Sequence, residues 1–398
     1  MVNSTKTGAR AVSENRLNNF ALTKSGILIQ APPDLGHFIP PDSRVIAVGQ
    51  KSTHCVISTT SSLSIETSYS SSTHSSKALG MHFSYLATAA LVAQALAAPP
   101  KAASSTLQHW LYSSQVDEQS LALLDRPDIV GIQALYSWKS LEPSEGQYDF
   151  SVISEDYQKV LAKGKKFWIQ LQDRTFSASN DPVPKYMHTP YYNNGSAPSC
   201  DGDSCDTDFE VTGWVAQQWN PRVRQRYQAL LSALAGEFDG KVTGLNLAET
   251  SIAVDENANN YTNESYFLVE LENAGYAAKV FKKSYAVQYV NFWPDGWNNT
   301  NNRFEDSFNY YAKHGVGVGG PDLIPNKPGQ EANSYVYIPK YHCKVPIAVV
   351  AVQEKDLEEI NQQTGKPFTK EEFVDFAVNE LHVEIIFWAV ETPWLQSS

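Results

Sequence analysis

Cysteine is scarce in this chain, and the metal motifs built on it are missing. Only 4 of the 398 residues are cysteine. No CxxC pair and no HExxH stretch occurs, which disfavours a zinc site. Cys200 and Cys205 bracket a short polar loop, CDGDSC, that a disulfide could close. Cys343 has no evident partner in the later part of the chain, and we expect it to be buried and reduced.

Positive charge is also in deficit. The chain has 31 Lys and Arg against 43 Asp and Glu, a formal net charge of −12. This balance argues against a nucleic-acid partner and supplies no basic patch for an anionic membrane. No GxxxxGK[ST] or GxSxG motif occurs, and the glycine-rich GVGVGGPDLIP runs into Pro321 and Pro325 rather than a phosphate-binding helix. The composition fits a soluble protein with a neutral ligand and no cofactor.

A short apolar run from Leu86 to Ala98 follows Met81 and ends at Pro99. With the small residues Ala95 and Ala97 near its end, it has the form of a secretory signal peptide over 81–98, with cleavage near Ala97 or Ala98. The run is too short to span a bilayer. The alternative is an apolar helix within a larger fold.

Residues 1–80 precede that run and are rich in Ser and Thr, with no sustained period of 2 or 3.6. We interpret them as a disordered extension or as an artefact of the assigned start. The structured domain is therefore expected over 105–398, in a secreted, extracellular protein. N-glycosylation sequons at Asn194, Asn260, Asn263 and Asn298 fit that location.

After residue 105 the pattern changes to apolar strands that alternate with helices. Eight strands are predicted, over 107–112, 128–138, 165–172, 241–249, 285–293, 314–320, 345–353 and 383–390. Helices are predicted between them, one capped by Asn220 and stopped by Gly240, another with a capping box of Thr369 and Glu372. Apolar strands with intervening helices indicate an α/β protein with a buried parallel sheet, and the length predicts a (β/α)8 TIM barrel. A doubly wound open sheet is the runner-up.

Carboxylates, amides and aromatic rings collect just after these strands, where a barrel carries its site. Glu249 is the leading candidate, because it directly continues an apolar strand and burying an unpaired carboxylate is costly. The candidate substrate-binding residues are Trp138, Asp173, Arg174, Asn291, Trp293, Asp322, Gln353 and Trp388. Two acids suffice for glycoside cleavage, one protonating the leaving oxygen and the other attacking or activating water.

Three stretches carry a family resemblance. GIQALYSWKSLEPSEGQYDFS, with Trp138 and Glu142, resembles the strand-2 signature of clan A glycoside hydrolases. VTGLNLAETS resembles their strand-4 end, and VEIIFW their eighth strand. The resemblance implies that Glu249 is the general acid/base, that Glu354 is the nucleophile of a retaining reaction, and that Trp388 floors the sugar site.

Two positions depart from the family pattern. Ala248 stands where the family has Asn before the acid/base, and Asn246 lies on the opposite side under strict alternation. On the seventh strand, alternation puts Gln353 rather than Glu354 on the inner face, so Glu391 is an equal candidate for the second catalytic carboxylate. The sequence thus leaves Glu354 and Glu391 open as partners of Glu249.

The sequence predicts a secreted, monomeric glycoside hydrolase acting on a polysaccharide or oligosaccharide, with Glu249, Glu354 and Glu391 as candidate catalytic residues. The alternative is a non-catalytic carbohydrate-binding barrel, favoured by Gln353 at the seventh strand end. A deacetylase or lyase that uses the same carboxylates is a third possibility.

The signal peptide gives a first test. If the chain is produced from Met81 in a secreting host, the protein in the medium should begin near Ala98, as read by N-terminal sequencing and intact mass. Leu91→Arg, which breaks the apolar run, should keep the protein inside the cell. Secreted protein that still carries residues 81–98 would contradict the assignment.

Overall fold

The computed structural model describes residues 107–200, 210–254, 260–294 and 299–396. The expected extension over 1–80 and signal peptide over 81–98 lie outside the described residues. So do Cys205 and Asn298.

Eight parallel strands close into a barrel, which confirms the predicted fold and excludes the open sheet. Each strand pairs with its neighbours in the chain, and the first pairs with the last. The strands are β1 Gln108–Ser113, β2 Ile129–Ser137, β3 Lys166–Gln172, β4 Gly244–Leu247, β5 Tyr285–Tyr289, β6 Gly317–Gly320, β7 Ala348–Val352 and β8 Ile385–Ala389.

Helices surround the barrel and cover the outer faces of its strands. They are α1 Glu118–Leu123, α2 Trp138–Leu141, α3 Ser151–Ala162, α4 Pro221–Phe238, α5 Asn263–Val280, α6 Arg303–His314, α7 Pro328–Glu331, α8 Ser334–Tyr341, α9 Lys370–Asp375 and α10 Pro393–Gln396. The predicted caps are confirmed: Asn220 caps α4, and Thr369 with Glu372 forms the capping box of α9. No described helix is long and apolar enough to cross a membrane.

Large aromatic side chains fill the barrel interior. Trp110 and Phe387 both pack edge-on against Trp168, with ring centroids 5.8 and 5.4 Å from it. Glycines on neighbouring strands make room for these rings. A Cβ at Gly244 would lie 2.4 Å from the Trp168 ring, and one at Gly319 would lie 2.8 Å from the Tyr289 ring. The glycine-rich GVGVGG is therefore a barrel strand and not a phosphate-binding loop.

Strand alternation decides which side chains face the axis. On β7 and β8 the interior cluster takes Val349, Ala351, Ile385 and Phe387. Trp388 therefore points outward, where it packs edge-on against Trp394 and its indole donates to His109 Nδ1 at 3.0 Å.

A long segment between β3 and α4, residues 173–219, was not predicted to contain strands. We call it the excursion. It forms a three-stranded antiparallel sheet from Arg174–Thr175, Ser196–Ser199 and Gly213–Ala216. Its strands hold two to four residues each, too short for a period of 2 to stand out in the sequence. This sheet stands beside the carboxyl end of the barrel, since it begins directly after β3.

The prediction for Cys343 was wrong. Cys343 is half-buried and Cys200 is buried, and both are disulfide-bonded. No described cysteine is free. Among the described residues there is also no cluster of three or more His, Cys, Asp or Glu side chains that could hold a metal ion.

The tight approach of Gly244 to Trp168 predicts a stability effect. Gly244→Ala should lower the free energy of unfolding by about 1–3 kcal/mol, because the added methyl group displaces a packed ring. Gly236→Ala is the matched control: it is exposed within α4 with nothing within 4 Å of a new Cβ. It should be neutral or stabilising by up to about 1 kcal/mol. Equal effects in urea denaturation would contradict the packing account.

Candidate active site

A cavity of about 240 Å³ opens at the carboxyl ends of the barrel strands. We call it the mouth cavity. Tyr289 contributes to its lining from inside the barrel, and the excursion supplies residues from Arg174 to Phe176 and Asn180. The remaining lining residues are Tyr112, Leu135, Ser137, Gln170, Gln172, Glu249, Pro321 and Gln353. The site therefore lies where the (β/α)8 fold places it.

Glu249 lies at this mouth and not within the packed barrel. Strand β4 ends at Leu247, so the carboxylate stands two residues beyond it and is half-buried. Ser251 Oγ donates to its Oε1, and Asn291 Nδ2 lies 3.5 Å from its Oε2. These donors stabilise negative charge on the carboxylate and explain how an apolar strand can end in an acid.

Asn291 also connects Glu249 to a second acid. Its Nδ2 lies 3.4 Å from Asp322 Oδ2, so one amide group bridges the two carboxyls. The two contacts to one nitrogen keep Glu249 Oε2 and Asp322 Oδ2 within about 7 Å of each other. Thr250 fixes the bridge, because its hydroxyl donates to Phe292 O at 2.9 Å and accepts from Asn291 N at 3.1 Å.

The environment of Asp322 favours its protonated form. Burial raises the pKa of Asp322 to about 7, and the neighbouring Glu249 carboxylate contributes in the same direction. Lys327 and Lys355 act weakly against this pKa shift. Gln353 Nε2 donates to Asp322 Oδ1 at 3.2 Å and to Pro321 O at 3.0 Å. The inner residue at the end of β7 is thus an amide that holds Asp322 in place.

Glu354 and Glu391, the two partners expected from the sequence, are both exposed. Neither lines the mouth cavity. Both still act on the site electrostatically. Burial raises the pKa of Tyr112, followed by the charges of Glu354, Asp322, Glu391 and Glu249. The rim therefore gathers four carboxyls around one phenol, but the two in the bridged pair are Glu249 and Asp322.

Arg174 lies behind Glu249 in a buried network. Its Nη1 donates to Ser251 O at 2.6 Å and to the Tyr266 hydroxyl at 3.0 Å. Its Nε lies 3.5 Å from Asp173 Oδ1, and its Nη2 lies 3.7 Å from Glu270 Oε1. The guanidinium contributes to the cavity lining, yet its hydrogen bonds hold the segment that carries Glu249 and Ser251.

Asp173, proposed as a sugar contact, is 1% exposed and belongs to this network. It accepts from Gln218 Nε2 at 2.5 Å and does not line the mouth cavity.

Three tryptophans expected at the sugar site lie in the packed layers instead, each no more than 1% exposed. Trp388 faces the helices, because alternation on β8 gives the axis to Phe387. Trp293 packs edge-on against Phe267 at 4.8 Å between ring centroids. Trp138 packs against Tyr227 at 5.2 Å. These three rings serve packing, and none of them lines the mouth cavity.

The strand-2 motif also has a structural explanation. Glu142 is fully buried and accepts from Trp138 Nε1 at 2.8 Å and from Gly146 N at 2.9 Å. Arg226 from α4 forms an ion pair with Glu142 Oε1, the oxygen that also accepts from Gly146 N. The Trp, Glu and Gly of this motif therefore hold the loop after β2 against the helices. They do not reach the mouth.

Several lining residues were missed in the sequence. Tyr112 stands near the end of β1, and the alternation of β3 points Gln170 and Gln172 at the axis. The sequence therefore contained a signal for each of them, the strand end for Tyr112 and the alternation for the two glutamines. Phe176 and Ser251 were not recognisable, because they reach the site through the excursion and through the turn after Glu249.

Beside the mouth cavity lies a second one, of about 200 Å³, which we call the side cavity. It is formed between the excursion and the loops after β4 and β5. It shares Arg174, Thr175, Phe176 and Glu249 with the mouth cavity. Its other lining residues are Ser199, Cys200, Trp214, Val215, Ser251, Ile252, Ala253, Asn291 and Phe292.

The chain is similar in fold to a β-amylase. The catalytic domain of β-amylase from Paenibacillus polymyxa matches 73% of this chain and 94% of its own, with a TM-score of 0.50 and 7% identity. A psychrophilic glycoside hydrolase family 10 endo-β-1,4-xylanase matches 71% of this chain and 86% of its own, with a TM-score of 0.43 and 12% identity.

An old yellow enzyme homologue from Zymomonas mobilis also matches, over 71% of this chain and 84% of its own, with a TM-score of 0.41 and 11% identity. No protein-family model and no curated protein sequence matches. The similarity to the β-amylase, at 7% identity, shows the barrel fold alone, and function has to be argued from the site.

The coupling of the two acids predicts a measurable pKa change. Glu249→Gln removes a neighbouring negative charge, so the pKa of Asp322 should fall from about 7 toward its ordinary range, as read by carboxyl ¹³C NMR titration. Glu391→Gln is the control, because that exposed acid is not among the causes of the Asp322 shift. An Asp322 pKa that stays unchanged in Glu249→Gln would show that the two acids do not interact.

Proposed function

We propose that this protein is a glycoside hydrolase that cleaves O-glycosidic bonds of a polysaccharide or oligosaccharide with the carboxyl pair Glu249 and Asp322. The observation that carries the proposal is the bridge through Asn291, which holds Asp322 beside Glu249. Glu249 lines both cavities, and Asp322 stands behind it without lining either. Glycoside cleavage needs one protonated and one ionised carboxyl on either side of the scissile bond. The fold shared with a β-amylase fits this activity.

The two acids take different roles in this proposal. Asp322, with its pKa raised to about 7, holds the proton and donates it to the leaving oxygen. Glu249 receives hydrogen bonds from Ser251 and Asn291, remains ionised and attacks the anomeric carbon. Water then displaces Glu249 while Asp322 accepts its proton. These roles reverse those that the family resemblance implies, in which Glu249 is the acid/base.

The spacing of the acids supports a retaining reaction. Retaining enzymes hold their carboxyls about 5–5.5 Å apart, whereas inverting enzymes need about 6.5–9.5 Å for a water molecule. The upper limit of about 7 Å set by the Asn291 bridge includes the first range and only the lower end of the second. We therefore propose net retention of anomeric configuration.

One observation favours a second function, a carbohydrate-binding barrel without turnover. The inner residue at the end of β7, where the family carries a catalytic carboxylate, is the amide Gln353. In that case the acids would bind sugar hydroxyls and do no chemistry. Binding of an oligosaccharide with no product after prolonged incubation would favour this function.

We also propose that the protein is secreted as a monomeric glycoprotein. The sequon residues Asn194 and Asn260 are exposed, which leaves them accessible to a glycosyltransferase, and Asn263 is half-buried at the start of α5. An extracellular location suits an enzyme whose polysaccharide substrate cannot enter the cell.

The pair is tested by four variants. Glu249→Gln and Asp322→Asn should each lower kcat/KM on the best substrate of a glycan panel by at least about 100-fold, because each removes one required carboxyl. Glu354→Gln and Glu391→Gln are matched controls, exposed acids on the same rim, and should stay within about threefold of the native value. Full activity in Glu249→Gln or Asp322→Asn, or loss of activity in either control, would refute the pair.

The raised pKa of Asp322 also fixes the pH dependence. Native activity should fall as the pH rises through about 7, because Asp322 then loses the proton that it donates. The same ionisation should lower stability: the folded state holds this proton more tightly than the unfolded chain, so the free energy of unfolding declines between about pH 4 and pH 7. Asp322→Asn should remove that part of the decline in urea denaturation series.

A further inference from the structure

The mouth cavity and the side cavity meet at Glu249. The wall between them consists of the four shared residues, Arg174, Thr175, Phe176 and Glu249. Arg174 is held from behind by its buried network, and the Thr175 hydroxyl donates to Asn180 O at 2.6 Å. Glu249 and Phe176 are therefore the groups of this wall that a ligand can approach. A ligand that enters both cavities has to pass the carboxylate.

Phe176 presents an open aromatic face at this wall. Its side chain is 69% exposed, although large apolar side chains elsewhere on the barrel are mostly buried. Among the described residues it takes part in none of the ring contacts that bind the other aromatics together. A single exposed apolar residue is ordinary on a protein surface. The position of Phe176, between two cavities and beside a carboxylate, is unusual, and a flat ring there suits the apolar face of a sugar.

Each cavity also contains an amide oxygen that lacks a hydrogen-bond donor. Gln170 is 6% exposed and lines the mouth cavity, and its Oε1 has no partner among the described residues. Asn291 lines the side cavity, and its Oδ1 likewise has none. The orientation of Asn291 is defined, because its Nδ2 faces the two carboxyls. Buried acceptors without donors are costly, and sugar hydroxyls are donors.

The charge of the lining selects among saccharides. Glu249 and Arg174 are the ionisable acid and base in the lining of the two cavities. The positive charge of Arg174 is already offset by Asp173 within its network. The exposed acids Glu354 and Glu391 add negative potential at the rim, and their charges contribute to the raised pKa of Tyr112. In the part of the lining that the structure describes, Arg174 is the one cation and is already paired. An anionic sugar therefore meets repulsion, whereas a neutral sugar does not.

We propose that the two cavities are two saccharide subsites on opposite sides of Glu249, and that the ligand is a neutral oligosaccharide of at least two sugar units. Gln170 accepts a hydroxyl hydrogen bond in the mouth cavity, Asn291 Oδ1 accepts one in the side cavity, and Phe176 stacks on the sugar at the boundary. The linkage between the two units then lies beside Glu249. This inference rests on the proposed function and specifies its substrate class.

Binding measured without turnover tests the inference. The full chain carrying Asp322→Asn is titrated by calorimetry with neutral glucose, xylose, mannose and galactose oligosaccharides, with the matching monosaccharides, and with oligogalacturonates. A neutral disaccharide or trisaccharide should bind at least about tenfold more tightly than its monosaccharide, a difference of about 1.4 kcal/mol. The oligogalacturonates should bind at least about tenfold more weakly than the neutral oligosaccharide.

Phe176→Ala in the same background should remove most of the advantage of the oligosaccharide and leave the weak monosaccharide affinity within about twofold. Tyr191→Ala is the matched control, an aromatic of the same excursion that is 59% exposed and lines neither cavity. It should change neither affinity. A thermal melt of each variant checks that folding is intact.

The outcomes separate the two levels of the proposal. If oligosaccharides bind but no more tightly than monosaccharides, or if Phe176→Ala behaves like Tyr191→Ala, the two-subsite inference is overturned and the proposed function stands. Preferential binding of oligogalacturonates overturns the neutral substrate class. If no saccharide binds and the native chain hydrolyses none, the proposed function fails together with the inference.

Discussion

The bridge from Asn291 to Glu249 and Asp322 is the interaction on which the site depends. Two carboxyls that share one amide donor in a half-buried mouth cannot both ionise without a large electrostatic cost. One of them therefore keeps a proton, and the raised pKa of Asp322 identifies which. Gln353 and Ser251 each hold one acid from its other side. The two acids therefore differ in protonation before any substrate binds.

The barrel interior determines where that bridge can form. Trp110, Trp168 and Phe387 fill the axis, and glycines on the adjacent strands allow the rings to fit. One polar pair lies within this packing, where Trp168 Nε1 donates to Asn246 Oδ1 at 2.7 Å. The mouth cavity lies above these rings, at the strand ends. Arg174 then couples the excursion to the loop of Glu249 through Ser251 O.

The sequence was a good guide wherever a local pattern reports a local structure. All eight barrel strands follow from apolar runs between helices, and the helix caps at Asn220 and Thr369 follow from capping chemistry. Glu249 stood out because an acid after an apolar strand needs an explanation. Alternation alone placed Gln353, rather than Glu354, on the inner face of β7, and Gln353 does line the mouth.

The rest depended on contacts between distant segments, which one sequence cannot reveal. Asp322 was recognised as a rim residue, but its closeness to Glu249 arises from loops after β4, β5 and β6. Tryptophan after a strand can pack or bind sugar, and Trp138, Trp293 and Trp388 pack. The strand-2 motif is informative about the fold for a similar reason: its Glu142 is a buried structural acid.

The central claim, that Glu249 and Asp322 form the reacting pair, is tested most directly by trapping the covalent intermediate. Activated 2-deoxy-2-fluoro glycosides of the sugars that the protein cleaves should inactivate it with one glycosyl group attached. Peptide mass spectrometry should then find that group on Glu249. Attachment to Asp322 would reverse the two roles, and attachment to Glu354 or Glu391 would contradict the account.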